Sequence, residues 1–148
     1  IIGDNSLLSR SIIADRVSSC IFWGAPGTGK TTLANIISNA TSGNFVKLNA
    51  VSSGVADAKK VIEDATVQFR RYGKRTYLML DECHRWSKAQ SDCVLQAIET
   101  GIIIFIGSTT ENPYVSMTRA IVSRCSVYEF KPIDFNDVCD ALHKAIIS

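Results

Sequence analysis

The stretch Gly24-Ala25-Pro26-Gly27-Thr28-Gly29-Lys30-Thr31 fits the pattern G-x-x-x-x-G-K-[ST] of a phosphate-binding loop. The apolar run Cys20-Ile21-Phe22-Trp23 before it is typical of a buried strand, and residues 32–38 after it carry apolar side chains at helical spacing. In this order the glycines let backbone N–H groups approach an anion, and the helix presents its positive dipole end to it. The sequence therefore predicts a binding site for a nucleoside triphosphate.

Two pairs of residues are candidates for the chemistry of that site. Lys30 is expected to reach the β- and γ-phosphates, and the Thr31 hydroxyl is expected to ligate Mg²⁺. Asp81 and Glu82 follow the apolar run 76–80. Asp81 can hold the Mg²⁺ water shell together with Thr31, and Glu82 can orient and polarise the water that attacks the γ-phosphate. Glu82 therefore distinguishes a hydrolase from a protein that only holds nucleotide.

Strands alternate with helices along the whole chain. The hydrophobic pattern predicts strands over 20–23, 45–49, 76–80, 102–106 and 127–130, and helices over 32–38, 55–72, 87–100 and 134–147. Ser87 is a plausible N-cap, whereas Gly73 and Gly101 are expected to end helices. The run 102–106 is apolar on both faces, which favours a parallel sheet covered on both sides. The fold is therefore predicted to be a three-layer α/β domain, with ligands at the carboxyl ends of the strands.

Three further polar residues have a functional and a structural interpretation. Asn49 ends the second strand and Thr110 follows the fourth, so both can project toward the pocket and sense the γ-phosphate or restrain Glu82. Each could instead satisfy a loop, an alternative that is weaker for Thr110 than for Asn49. Arg124 precedes the fifth strand, and its permanent charge suits it to stabilise phosphoryl charge across a subunit interface. An arginine in a loop is also commonly a solvated surface charge.

A dense basic cluster with aromatic residues spans 69–75. It could contact a nucleic acid backbone, but it precedes the third strand and therefore lies opposite the nucleotide site. Cations that favour the C-terminal dipole of a helix are the preferred explanation. His84 and Trp86 are expected to be packing or switch residues, since no His or Cys is spaced to share a metal with them.

Composition bounds the alternatives. The 148 residues are 46% hydrophobic and 20% charged, as in an ordinary globular domain. The net charge of +2 is too small to indicate affinity for nucleic acid or for a membrane. The apolar run 102–106 is too short to cross a bilayer. Five cysteines without C-x-x-C spacing predict reduced thiols in a cytosolic or nuclear compartment. Because the chain begins with Ile1 and ends in a helix just begun, we expect a fragment.

The whole chain resembles the AAA+ ATPase module and, within that superfamily, the RarA/MgsA group of replication-associated recombination ATPases, which includes Werner-helicase-interacting relatives. The residues that carry the resemblance are four stretches: 22–34 around the loop, Leu48-Asn49-Ala50-Val51-Ser52-Ser53-Gly54-Val55, Asp81-Glu82-Cys83-His84-Arg85-Trp86-Ser87-Lys88-Ala89-Gln90, and Ile103-Ile104-Phe105-Ile106-Gly107-Ser108-Thr109-Thr110-Glu111-Asn112-Pro113.

The resemblance implies a parallel five-stranded sheet of order 5-1-4-3-2 and a role for each matching position. It makes residues 1–133 the nucleotide-binding core and 134–148 the first helix of a truncated lid. Thr110 takes the sensor-1 position, Asn49 the position that restrains the catalytic glutamate, and Arg124 that of a trans-acting finger. The further residues expected to contact ATP are Ile2, Gly3, Gly24, Ala25, Pro26, Gly27, Thr28, Gly29 and Thr32.

The implied function is that of a DNA-dependent ATPase at stalled or gapped replication forks. Its expected partners are ATP with Mg²⁺, single-stranded, gapped or forked DNA reached through the full-length protein, further copies of itself, and a single-stranded-DNA-binding protein. No membrane is expected. The location would be the bacterial cytoplasm, in association with the nucleoid, or the nucleus of a eukaryote.

Three other functions are compatible with parts of the sequence. A DExH-type helicase would use the string Asp81-Glu82-Cys83-His84, but it needs a second RecA-like domain and a longer spacing from the loop to the acids. A threading unfoldase usually has an aromatic residue in the loop after the second strand, where this chain has Val51-Ser52-Ser53-Gly54. A clamp-loader-like subunit or scaffold that uses ATP as an assembly switch remains the main alternative.

Overall fold

A single sheet of five parallel strands forms the centre of the protein. The structure, a computed structural model, describes residues 18–26, 29–40, 43–131 and 143. The strands are β1 (Cys20–Gly24), β2 (Asn44–Asn49), β3 (Thr76–Asp81), β4 (Ile103–Thr109) and β5 (Ser126–Phe130). They lie in the order β2-β3-β4-β1-β5, and every neighbouring pair is parallel. The predicted fold and the predicted order 5-1-4-3-2 are confirmed.

The helices connect the strands on both faces of the sheet. They are α1 (Lys30–Ala40), α2 (Val55–Tyr72), α3 (Lys88–Thr100), α4 (Pro113–Ser116) and α5 (Arg119–Val122), with a 3-10 turn at Cys83–Arg85. The predicted helix 32–38 is longer by two residues at each end. The short helices α4 and α5 were not predicted, because four residues show no hydrophobic periodicity. The predicted helix 134–147 lies outside the described residues, apart from position 143.

Two cores cover the two faces of the sheet. On one face, α1 packs Leu33, Ala34 and Ile37 against strand residues that include Phe22 and Ile106. The other face carries residues of the longer helices α2 and α3 and of the short helix α5, packed against Leu78, Leu80 and Phe105. Strand residues alternate between the two cores, as the pleat requires. The predicted three-layer arrangement is therefore confirmed.

Strand β4 is longer than its apolar run predicted. The prediction ended at Ile106, whereas the strand continues to Thr109 with all seven residues buried. Pairing with β1 and β3 buries these small and polar residues, and a Cβ at Gly107 would lie 2.8 Å from the ring of Phe105 and 3.0 Å from the sulfur of Cys83. This extension carries Thr109 into the carboxyl edge of the sheet.

The local signals at the helix ends behave as predicted. The Ser87 hydroxyl accepts a hydrogen bond from the Gln90 amide, and the Gln90 side chain accepts one from the Ser87 amide, which completes a capping box at the start of α3. Gly73 and Gly101 end α2 and α3 in the left-handed conformation, with φ of 65° and 80°. Residues without a Cβ adopt this conformation without strain.

Four cysteines lie in the described part of the chain, and all are free thiols. Burial raises the pKa of Cys125 to about 12, and burial also raises the pKa of Cys20 and Cys83. These thiols therefore stay protonated at neutral pH and act as small apolar groups. Among the described helices, none is long and apolar enough to span a membrane.

Gly24 is the position at which the end of β1 requires a glycine. Its φ is 154°, and a Cβ would lie 2.3 Å from the carbonyl oxygen of Phe130 in the neighbouring strand. We expect Gly24→Ala to lower the free energy of unfolding by about 2–3 kcal/mol, because it combines backbone strain with overpacking against a backbone atom. The measurement is the midpoint of urea unfolding.

Gly73→Ala is the matched control, since Gly73 also has a positive φ but a Cβ there would meet nothing within 4 Å. It should lower the free energy of unfolding by only about 1 kcal/mol. Equal effects of the two substitutions would contradict the role assigned to the approach of β5.

Candidate nucleotide site

The carboxyl edge of the sheet brings together the ends of four strands. Asp81 is in register with Asn49 on one side and with Ser108 on the other, and Trp23 is in register with Thr109. Strand β4 therefore lies between β1, which leads into the glycine-rich loop, and β3, which ends on the acids. Two strand spacings of about 4.8 Å separate β1 from β3, so the end of β4 faces the gap of about 10 Å between loop and acids.

The side chain of Lys30 folds back against the glycine-rich loop. It is the first residue of α1, is 8% exposed, and its Nζ donates to the carbonyl oxygens of Gly24 at 2.6 Å and Ala25 at 2.9 Å. Burial lowers the pKa of Lys30, and the negative charge of Glu82 opposes that shift. A buried ammonium whose partners include neutral carbonyls is stabilised further when an anion binds beside it. The loop is therefore electrostatically suited to phosphate.

The other predicted contacts of the loop are only partly described. Ala25, Pro26 and Thr32 are exposed, and Gly29 has a φ of 91°, a left-handed value suited to glycine. The first hydrogen bond of α1 joins the Leu33 amide to the Gly29 carbonyl. The helix therefore starts at the loop and directs its first-turn amides toward it.

Several predicted residues lie outside the described part of the chain. They are Ile2, Gly3, Gly27 and Thr28, together with the side chain of Thr31. The magnesium role of Thr31 and the division of the chain at residue 133 therefore stay predictions.

Asp81 and Glu82 lie at the carboxyl edge, as predicted. Asp81 is the last residue of β3, and Glu82 immediately follows in the left-handed conformation with φ 55° and ψ 42°. Glu82 is the one described residue other than glycine with a positive φ. That conformation costs about 1–3 kcal/mol and is characteristic of functional positions. The backbone around Glu82 is held by hydrogen bonds from the Ala50 amide to Asp81 and from the Arg85 amide to Glu82.

Asn49 and Thr110 are both at this edge but are exposed. The side-chain oxygen of Asn49 accepts a hydrogen bond from the Val51 amide at 2.9 Å, which shapes the turn after β2. Thr110 is the first residue beyond β4. The structure thus brings both residues to the predicted edge, and their proposed action on the γ-phosphate or on Glu82 stays a prediction.

The sequence did not single out Thr109, which is 1% exposed. Its Oγ1 lies 2.6 Å from Nδ1 of His84 and accepts a hydrogen bond from the Glu111 amide. Two adjacent threonines gave no local signal of which one is buried, because the pleat direction at the end of β4 depends on its neighbours. His84 and Trp86 were predicted to be packing or switch residues, and both are largely enclosed.

Trp86 and Gln90 connect the loop after β2 to the start of α3. Trp86 Nε1 donates to the Ser53 hydroxyl at 3.3 Å, and Gln90 Nε2 donates to the Ser53 carbonyl at 2.9 Å. The Ser53 carbonyl and hydroxyl are therefore both held by one short segment, residues 86–90. This contact fixes the loop 50–54 beside the acids of β3.

Arg124 lies at the opposite edge of the sheet. It precedes β5, whose five residues span about 15 Å toward the carboxyl edge, so it is remote from the loop of its own chain. Its Nη2 lies 2.6 Å from Oε1 of Glu99, and its Nη1 donates to the Ala120 carbonyl. With Ser19 and Arg75 it also lines an open cavity of about 450 Å³.

The donor set fits a nucleotide with a magnesium ion. One edge of the sheet holds the glycine-rich loop with the buried ammonium of Lys30, the N-terminus of α1 and the carboxylate of Asp81. The loop and the helix N-terminus suit a triphosphate, and the carboxylate suits a cation with oxygen ligands. In the part of the chain that the structure describes, no group of three or more His, Cys, Asp or Glu side chains could hold a metal alone.

This fold and this loop define a P-loop ATPase of the AAA type, and the comparisons agree. Residues 20–133 match the model of the ATPase family associated with various cellular activities, and the chain belongs to this family. It is 44% identical over 139 residues to replication-associated recombination protein A of Escherichia coli K12, a match that covers 94% of this chain and 31% of that protein.

Two further likenesses agree with this assignment. The chain is 46% identical to the ATPase WRNIP1 of Dictyostelium discoideum, with 89% of this chain and 16% of that protein covered. The expected resemblance to the RarA/MgsA group is thus confirmed. The fold is shared with the RuvB Holliday junction branch migration motor of Thermotoga maritima, at a TM-score of 0.67, 23% identity, and coverage of 96% of this chain and 50% of that one. The chain spans about a third of the length of the bacterial recombination proteins that it matches.

The position of Lys30 leads to a prediction for nucleotide binding. We expect Lys30→Met to weaken ATP binding by about 10- to 100-fold, because a charge-assisted hydrogen bond is worth about 1.5–3 kcal/mol. Titration with a fluorescent ATP analogue measures the change. Lys47→Met is the matched control, since Lys47 is exposed on β2. An equal affinity of the two variants would contradict the placement of the phosphates at Lys30.

Proposed function

We propose that this chain is the Mg-ATP-binding and ATP-hydrolysing module of a DNA-dependent ATPase that acts at stalled or gapped replication forks. The observation that carries the proposal is the convergence of Lys30, Asp81 and Glu82 at one edge of the sheet. The names of the replication-associated recombination proteins and of RuvB support its placement in DNA metabolism. DNA of single-stranded, gapped or forked structure would be engaged by the complete protein.

Each residue then has a chemical task. Bound ATP supplies the phosphoanhydride bond, and Mg²⁺ neutralises charge on its phosphates. Lys30 donates to the phosphate oxygens in place of the carbonyls of Gly24 and Ala25. Asp81 and Thr31 would hold the cation or its water shell. Glu82 accepts a hydrogen bond from the attacking water and orients it, for which its carboxylate needs a fixed position.

The position of Arg124 supports an oligomer with shared sites. Its distance of about 15 Å from the carboxyl edge excludes action on the nucleotide of its own chain, so a role in hydrolysis requires a neighbouring copy. Its pair with Glu99 is partly exposed, with side chains 37% and 42% accessible. Such a pair contributes about 1 kcal/mol or less to stability. A phosphate of the nucleotide bound to the neighbouring copy would therefore readily compete with Glu99 for the guanidinium.

The proposed surroundings are those that the family resemblance implies. We propose a homo-oligomer, a single-stranded-DNA-binding protein as a further partner, and a location in the bacterial cytoplasm at the nucleoid or in the nucleus of a eukaryote. The alternative is a clamp-loader-like subunit or scaffold in which ATP controls assembly without DNA-stimulated hydrolysis.

Steady-state ATP hydrolysis by the complete protein tests the proposal. The rate is measured with and without forked DNA that carries a single-stranded gap, and we expect DNA to stimulate it. Glu82→Gln should reduce turnover to a small residual rate while ATP still binds. A rate indifferent to DNA would favour the scaffold, as would full biological activity of Glu82→Gln with ATP-dependent assembly preserved.

A complementation experiment tests the trans action of Arg124. We expect Arg124→Ala to lower the rate by about 10³-fold or more, with ATP binding nearly intact. Mixing inactive Arg124→Ala and Glu82→Gln proteins should restore part of the activity, because some interfaces then combine an intact Glu82 with an intact Arg124. Arg119→Ala is the control, since Arg119 is exposed on the adjacent helix α5. Unchanged turnover of Arg124→Ala would refute the assignment.

A further inference from the structure

His84 occupies a central position between the catalytic glutamate and the end of β4. Its side chain is 8% exposed and lies in the 3-10 turn that follows Glu82. One ring nitrogen, Nδ1, contacts Thr109 at 2.6 Å. The other, Nε2, lies 3.7 Å from Oε2 of Glu82 and 3.8 Å from Oε1 of Glu111. The proposed function gives this histidine no role.

The surroundings of the ring favour hydrogen on Nε2, the nitrogen nearer the two carboxylates. Carboxylates only accept hydrogen bonds, so the Nε2 atom that faces Glu82 and Glu111 is the one that carries hydrogen. Nδ1 is then an acceptor, and the Thr109 hydroxyl donates to it. This assignment is consistent with the Glu111 amide, which donates to the oxygen of the same hydroxyl. Thr109, which is buried at the end of β4, thus holds the orientation of the His84 ring.

The separation from Glu82 indicates how the histidine acts. At 3.7 Å the contact exceeds hydrogen-bond length, so His84 influences the carboxylate as a nearby N–H dipole rather than by proton transfer. The Glu82 backbone is in the left-handed region and its side chain is 42% exposed. An exposed carboxylate on a strained backbone has several orientations open to it, and an N–H on one side favours one of them.

Glu111 makes the same arrangement sensitive to the segment after β4. Its carboxylate also lies near Nε2, at 3.8 Å, and its amide donates a hydrogen bond to Thr109. Thr110, the predicted sensor of the γ-phosphate, lies between these two residues in sequence. A displacement of Thr110 would therefore move the two contacts that Thr109 and Glu111 make with the imidazole ring.

We infer that His84 is a positioning residue that orients the Glu82 carboxylate and couples it, through Thr109 and Glu111, to the end of β4. The inference rests on the proposed ATPase function and deepens it. It assigns the histidine an effect on turnover, with little effect on nucleotide affinity. A residue that only packs the turn would change stability or affinity instead.

Substitutions that imitate one ring nitrogen at a time test the inference. In the complete protein, His84→Ala should lower kcat for ATP hydrolysis about 10- to 100-fold with KM nearly unchanged, as expected for a misplaced catalytic group. His84→Gln places an amide where Nε2 lies and should recover part of kcat. His84→Asn places its amide where Nδ1 lies and should not. If His84→Ala unfolds, the comparison of Gln with Asn still decides.

Thr109→Val tests the other side of the ring. It should lower kcat in the same direction, and the double variant Thr109→Val/His84→Ala should be no slower than the slower single variant, since both changes disrupt one arrangement. Thr66→Val is the matched control, because it removes a hydroxyl that donates to Ile62 within α2. In a Glu82→Gln background the His84 substitutions should have no further effect on the residual rate.

Several outcomes would overturn the inference. They are an unchanged kcat of His84→Ala, equal rates of the Gln and Asn variants, multiplicative effects of the His84 and Thr109 substitutions, and a loss confined to KM. If the wild-type protein hydrolyses ATP and any of these occurs, this inference fails alone. A wild-type protein that binds ATP without hydrolysing it would overturn the proposed function and this inference together.

Discussion

The placement of β4 between β1 and β3 is the constraint on which the site depends. Five parallel strands end at one edge, so the loop after β1 and the acids after β3 face the same side but are kept two strand spacings apart. A triphosphate with its cation is long enough to span that gap. Lys30 and the acids therefore need no direct salt bridge between them. The residues at the end of β4 then lie between Lys30 on one side and the acids Asp81 and Glu82 on the other.

One buried charge and one strained backbone position lie at this edge. Lys30 is enclosed among backbone carbonyls, and Glu82 adopts a left-handed conformation that β-strand geometry would not require. Both features cost free energy in the folded chain, and the two apolar cores on either face of the sheet compensate for them. The edge is thereby pre-arranged before any ligand binds, which is the form of electrostatic stabilisation most effective for charge that develops during a reaction.

The two edges of the sheet have different chemical character. The carboxyl edge holds the binding loop and the acids, while the amino edge holds Arg124, paired to Glu99, and the exposed basic segment 70–75. A single chain therefore separates the arginine from the glutamate by roughly the length of a strand, about 15 Å. This separation is the physical reason why the role proposed for Arg124 requires a neighbouring copy.

Much of the protein could be predicted from the sequence because the deciding signals are local. The glycine-rich loop, the acids after an apolar run, the cap at Ser87 and the glycines at 73 and 101 act over a few residues and need no partner. The strand order was predicted through the family resemblance, since hydrophobic patterns do not state which strands are neighbours. Only the tertiary structure decided which of Thr109 and Thr110 is buried, because the pairing of β4 with both neighbours sets its pleat. It also decided that His84 meets Thr109 and that Arg124 lies a strand's length from its own loop, because these distances join residues far apart in the chain.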